Sequence, residues 1–142
     1  MAETTRFKAL IERLVRDNGW TASEMHDDEA VIDYELEGGA LYSLFFTLQD
    51  DVVEIAVPSE AVFDTDAEIP HEASTMLLRR NMHTDAGFWG LEEFDDQLCY
   101  TLIHVELLES LEESDSPELN DLITALVEEC DEVNSILEEE EF

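Results

Sequence analysis

Four histidines, two cysteines and 38 carboxylates are the groups in this 142-residue chain that could act on a substrate or hold a metal ion. His26 precedes Asp27-Asp28-Glu29, which superficially looks like a hard-metal cluster. Adjacent side chains point different ways, however, and a calcium loop needs acids at alternate positions around a central Gly that is missing here. His71-Glu72 lacks the second His four residues on that a zinc-binding helix requires, and His83 lies too far along to share one face of one turn. His104 stands between Ile103 and Val105 in an apolar run and reads as a hydrogen-bonded surface or edge residue. Carboxylate pairs are everywhere, so none is informative: general acid–base work needs one of them desolvated, and the sequence gives no means of choosing. Cys99 and Cys130 sit in no metal or redox spacing and fall at apolar positions of their segments, as buried free thiols of a reducing compartment do. There is no Gly-rich phosphate loop, no Gly-x-Ser-x-Gly and no basic patch interleaved with aromatics. The expectation is no catalytic residue, no metal site and no cofactor, hence no enzyme.

Charge is the outlying property. The chain carries 38 Asp+Glu against 6 Lys+Arg, a net charge of −32, yet 44% of its residues are hydrophobic. Disorder needs high charge together with low hydrophobicity, so the chain should fold. Residues 1–80 hold 18 acids and all 6 basic residues; residues 81–142 hold 20 acids and no Lys or Arg. A field of that sign repels phosphates and anionic lipid heads, which excludes direct nucleic-acid binding and a membrane-surface role. Only Lys8 among the six basic residues is Lys, and the acids are dispersed through the whole chain. That dispersal fits a surface adapted to high salt, or else an acidic surface that is itself the working surface. No stretch approaches the ~20 apolar residues of a membrane span and the N-terminus has no apolar signal core, so the expected location is the cytoplasm.

Hydrophobic spacing supplies the elements. Phe7, Leu10, Ile11, Leu14 and Val15 recur at helical intervals, and Asn18-Gly19 is a stop signal that leaves Trp20 to fold back on the core. After a polar stretch from Ser23 to Glu29, residues 30–36 alternate as a half-buried strand. Gly38-Gly39 is a hairpin turn, residues 40–48 form a second strand, and residues 52–57 form a third that Pro58 ends. Pro70 opens a helix running to Arg80. Phe88-Trp89, the Asp95-Asp96 turn and residues 98–107 make a second hairpin. Ser116 as N-cap and Pro117 at the first helical position start a long helix whose apolar face runs from Leu119 to Leu137, and residues 138–142 read as a frayed acidic tail. The prediction is one α+β domain over residues 1–142, ordered α-β-β-β-α-β-β-α, with helices packed on a mostly antiparallel sheet.

This order, together with Met76-Leu77-Leu78-Arg79-Arg80-Asn81, Gly87-Phe88-Trp89-Gly90-Leu91, the strand of residues 98–107 and the final helix, resembles the type III secretion chaperone-like superfamily, including its YbjN-type members. It is similar to that family's pattern of a helix ending in Leu-Leu-x-x-Asn, a Gly-containing strand reading Phe-x-x-Leu or Phe-Gly-Leu, and a turn into an apolar strand. The chain departs from the pattern in the Trp89 that stands between Phe88 and Gly90. The resemblance implies a secretion-chaperone-like fold and a small acidic cytoplasmic protein, often a homodimer, that binds another polypeptide and catalyses nothing.

Partner contacts should then lie on apolar surface that the fold leaves open. Residues 40–48 are apolar on both faces, since Leu41 and Phe45 oppose Tyr42, Leu44 and Phe46, and residues 98–107 are similar. One face can be covered by helices; the other takes a further helix, a second copy or a bound peptide. Leu41, Phe45, Phe88 and Trp89 are the apolar partner-binding candidates. Arg79 and Arg80 are the charged ones, with one of the two expected to meet acids on the same molecule or across a dimer interface and the other to stay wet. The alternative function is an acidic mimic of nucleic acid that occupies the basic groove of a DNA-binding protein.

Overall fold

The computed structural model describes residues 2–140. Helix α1 (Glu3–Asn18) turns its Phe7, Leu10, Ile11 and Leu14 stripe inward and ends on Gly19 at φ 68°, where glycine takes the left-handed turn without a Cβ penalty. Six strands follow, interrupted by α2 (His71–Arg80): β1 (Thr21–Met25), β2 (Glu29–Glu35), β3 (Leu41–Gln49), β4 (Val52–Phe63), β5 (Phe88–Phe94) and β6 (Gln97–Leu107). The chain closes with α3 (Leu108–Glu113) and α4 (Ser116–Glu139). All strand pairings are antiparallel and the sheet order is β1-β2-β3-β4-β6-β5. The α+β class and the antiparallel sheet therefore stand, while the order of elements gains a further strand before α2 and a further helix after β6.

Five local readings are corrected. The polar stretch after α1 contains β1, an edge strand with a bulge between Ala22 and Glu24. Its residues are mostly exposed, so it carries none of the apolar alternation by which a strand is recognised. Pro58 does not end β4; it pairs with Thr101, and the extra residues between Pro58 and Val62 bulge before pairing resumes at Val62 with Cys99. A bulge is where a strand tolerates a proline that cannot donate to the ladder. The long helix is capped by Asp115, whose Oδ1 accepts from the Glu118 N–H at 2.9 Å, so Ser116 lies inside the helix and Pro117 is displaced by one position. Glu138 and Glu139 are still helical, and residues 141–142 of the proposed frayed tail lie outside the described residues. The short α3, which brings Leu108 and Leu111 to the core, has no counterpart in the sequence reading.

The core lies on one side of the sheet only. Ile32 and Ala30 of β2, Leu44 and Phe46 of β3, Val53, Ile55 and Val57 of β4, Trp89 of β5 and Leu102 of β6 share that face by register. They are buried together with Phe7 and Ile11 of α1, Ala73 and Leu77 of α2, Leu108 and Leu111 of α3, and Ile123, Leu126 and Val127 of α4. Among the described residues, no helix covers the other face.

Candidate partner-binding surface

The uncovered face is built by strand alternation. Residues one step out of phase with the core, including Val31, Leu41, Phe45, Ala56, Val62, Phe88, Phe94, Ile103, Val105 and Leu107, all point to it by register. Leu41 is 74% exposed, and Val62, Phe88, Val105 and Leu107 are each nearly half exposed. Ala56, Cys99, Thr101 and Ile103 are buried on this same side although no helix reaches them. Their burial has a geometric cause. Phe94 lies six residues along β5 from Phe88, about 20 Å on an extended strand, and Phe88 is the residue in line with Phe45 across the sheet. The Phe45 and Phe94 rings nevertheless meet with centroids 5.9 Å apart. The tip of the β5–β6 hairpin must therefore curl over the uncovered face, making it concave.

The β4 bulge sets that curl, and α4 holds the bulge. Asn134, itself buried, accepts the Glu60 N–H at 2.9 Å and donates to the Tyr42 hydroxyl at 3.1 Å; that hydroxyl donates to Asp131 at 2.7 Å. The Ser59 hydroxyl takes the Ala61 N–H. Backbone groups that the bulge removes from the ladder are thus paired from the helix layer and locally. Burial, and then the Asp131 carboxylate, push the Tyr42 phenol well above the usual tyrosine range, so it stays a neutral donor.

Two hollows flank the Phe45–Phe94 contact. One, of about 440 Å³, is lined by Leu41, Phe45, Pro58, Val62, Phe94 and Cys99 among others. The second, of about 220 Å³, is walled by Glu24, Glu29, Glu54 and Glu92 around Val31, Phe45 and Phe94. Burial raises the Glu92 carboxyl above its ordinary value, and the charge and hydrogen bonding of Glu54 raise it further.

The residues singled out in the sequence divide between two places. Leu41, Phe45 and Phe88 lie on the concave face. Trp89, the next residue after Phe88, points the opposite way: it is 4% exposed, and its indole N–H donates to Glu129 of α4 at 2.8 Å. As a packed residue it is withdrawn from any partner in this fold, because a one-residue step along a strand changes face. Arg80 binds the same Glu129 through two bonds of 2.9 and 2.6 Å, and reaches Glu132 at 3.3 Å, tying α2 to α4. Arg79 is exposed, and no acid of the described residues pairs with it. It borders a separate surface cleft of about 570 Å³ along α2, with His71, Thr75 and His83. Asn81, which closes the Leu-Leu-x-x-Asn pattern, accepts the Trp89 N–H and donates to the Trp89 carbonyl, joining the end of α2 to the open edge of β5.

The sequence reading missed the acidic hollow, because Glu24, Glu54 and Glu92 are far apart in the chain and meet only through register and curl. Both cysteines are buried and free, and His104 pairs with Glu106 at 2.9 Å. Among the described residues, no helix is long and apolar enough to cross a membrane.

No protein-family model and no curated protein sequence matches the chain. A chain in the structure of the HopA1-SchA chaperone-effector complex superposes on it with a TM-score of 0.62, over 93% of this chain and 95% of that one, at 13% sequence identity. At that identity the similarity shows the fold that the two chains share, and nothing beyond the fold.

Proposed function

We propose that this protein is a non-catalytic, cytoplasmic binding module of the chaperone kind, akin to the YbjN-type members, which holds an extended segment of a partner polypeptide. The observation that carries the reading is the concave sheet face left without a helix layer, with Leu41, Val62, Phe88, Val105 and Leu107 open to solvent. Apolar surface of this extent on one face is what a docking site for another chain requires. The fold likeness supports it, since the similar structure is a chaperone–effector complex. Leu41, Phe45 and Phe88 would contact the segment, and Arg79 would make a second contact at the α2 cleft. Leu78 and Met82, 67% and 81% exposed beside α2, together with Leu91 on β5, offer a further apolar patch that suits association as a homodimer.

The test is whether the protein keeps a chemically unfolded client from aggregating, followed by light scattering from low to molar salt. Suppression should persist in high salt, because apolar docking survives screening while a mimic of nucleic acid would lose its grip. Leu41→Asp/Val62→Asp should abolish it while leaving circular dichroism unchanged. Failure of the native protein at every salt concentration, or full activity of the variant, would overturn the reading.

A further inference from the structure

All six Lys and Arg of the chain lie on helices, Arg6, Lys8, Arg13 and Arg16 on α1 and Arg79 and Arg80 on α2, so no strand carries one. The concave face is therefore acidic without internal compensation. Four of its carboxylates come from four strands: Glu24 of β1, Glu29 of β2, Glu54 of β4 and Glu92 of β5. Acids that only keep a surface hydrated stand apart in water. Here the curl brings Glu54 and Glu92 together, half-buried, against the Phe45–Phe94 pair. The crowding is unfavourable for the charged carboxylates: burial raises the Glu92 carboxyl first, and the charge of Glu54 second. The described residues include no group of His, Cys, Asp or Glu gathered closely enough to hold a metal ion. A longer organic cation answers both features, because its stem packs on the phenyl rings while its head reaches the carboxylates.

We infer that the acidic hollow beside Phe45 and Phe94 is a specificity socket for a lysine or arginine side chain of the bound polypeptide. The inference rests on the docking role proposed above and adds the chemistry of the segment: basic and apolar residues taking turns at every second position, so that both kinds face the sheet. An extended segment presents every second side chain to one surface, and the hollow lined by Leu41 and Val62 on the far side of the aromatic pair takes the apolar residue next along that face from the basic one.

Fluorescence anisotropy with two labelled extended peptides of equal length tests it on the full chain at about 150 mM salt: a Val/Lys peptide with Val and Lys in turn at every second position and Ser between them, and a Val/Ser peptide with Ser in place of each Lys. The Val/Lys peptide should bind the tighter of the two. Glu54→Gln/Glu92→Gln should weaken it about tenfold, as loss of a desolvated charge contact does. Asp121→Asn/Glu128→Gln, an equal change of charge on exposed positions of α4, should alter it by less than about twofold, as a remote surface charge does. Equal weakening by both pairs would mean that only the overall field attracts the peptide, and equal binding of the Val/Ser peptide would mean that only apolar contact matters; either overturns the socket. Client protection that survives while lysine dependence is absent removes the socket and leaves the docking role, whereas loss of client protection removes the role itself.

Discussion

Two glutamates in contrasting surroundings carry the residue-scale energetics. Burial alone would raise the Glu129 carboxyl, but the hydrogen bonds from Arg80 and from the Trp89 indole outweigh it and hold the group below its ordinary value. Its contribution to stability is present above the ordinary glutamate range and is lost as pH falls through the lowered folded-state value. Glu129→Ala leaves the buried indole N–H without an acceptor and should cost about 1–3 kcal/mol in denaturant unfolding at neutral pH. Glu92 behaves oppositely. Its raised folded-state value means that the native form holds the proton more firmly than the unfolded chain does. Stability is full below the ordinary value and falls as pH rises through the raised one. Glu92→Gln should therefore raise the melting temperature at neutral pH, on the scale of a cross-strand charge pair, ~1 kcal/mol or less. The difference from the native protein should close in acid, where the Glu92 carboxyl is itself neutral. A melting series across pH checks both variants, and equal effects at all pH values would contradict the assignment of Glu92.

At the scale of elements, the strongest periodic signals were legible and the weakest were not. The α1 stripe, its Gly19 stop and the β5–β6 hairpin could be read from residue spacing. Asp95 and Asp96, with φ of 49° and 67°, supply the left-handed pair that a two-residue turn needs. β1 has no apolar face to announce it, and α3 is too short for its Leu108 and Leu111 to establish a period. The passage of β4 through Pro58 depends on Asn134, 76 residues further on, which no local rule can weigh. The start of α4 offers a direct check between two adjacent caps. Asp115→Ala should destabilise by about 1 kcal/mol, whereas Ser116→Ala, inside the helix, should stay within about 0.5 kcal/mol. Chemical denaturation of the two variants measures the difference, and the reverse ranking would return the cap to Ser116.

Over the whole molecule, the charge of −32 opposes compaction, and screening relieves it. Thermal stability followed by circular dichroism should rise from low to molar salt; stability that is flat across salt would count against a high-salt adaptation of this surface. The charge is also placed unevenly in three dimensions. Positive side chains stay in the helix layer, where Arg80 joins α2 to α4 and Arg13 holds the carbonyls at the end of α3, while the opposite sheet face is left acidic and apolar. Periods of two and 3.6 within short segments suffice for the α+β class, the order of the main elements, the apolar alternation on both faces of the strands and the candidacy of Leu41, Phe45 and Phe88. That every helix packs on one side, that Trp89 and Arg80 turn inward to Glu129, and that Glu54 and Glu92 meet beside Phe45 and Phe94 emerges in three dimensions alone. Those facts rest on strand register, a bulge and its anchor in α4, which couple residues too distant in the chain for any local pattern to join.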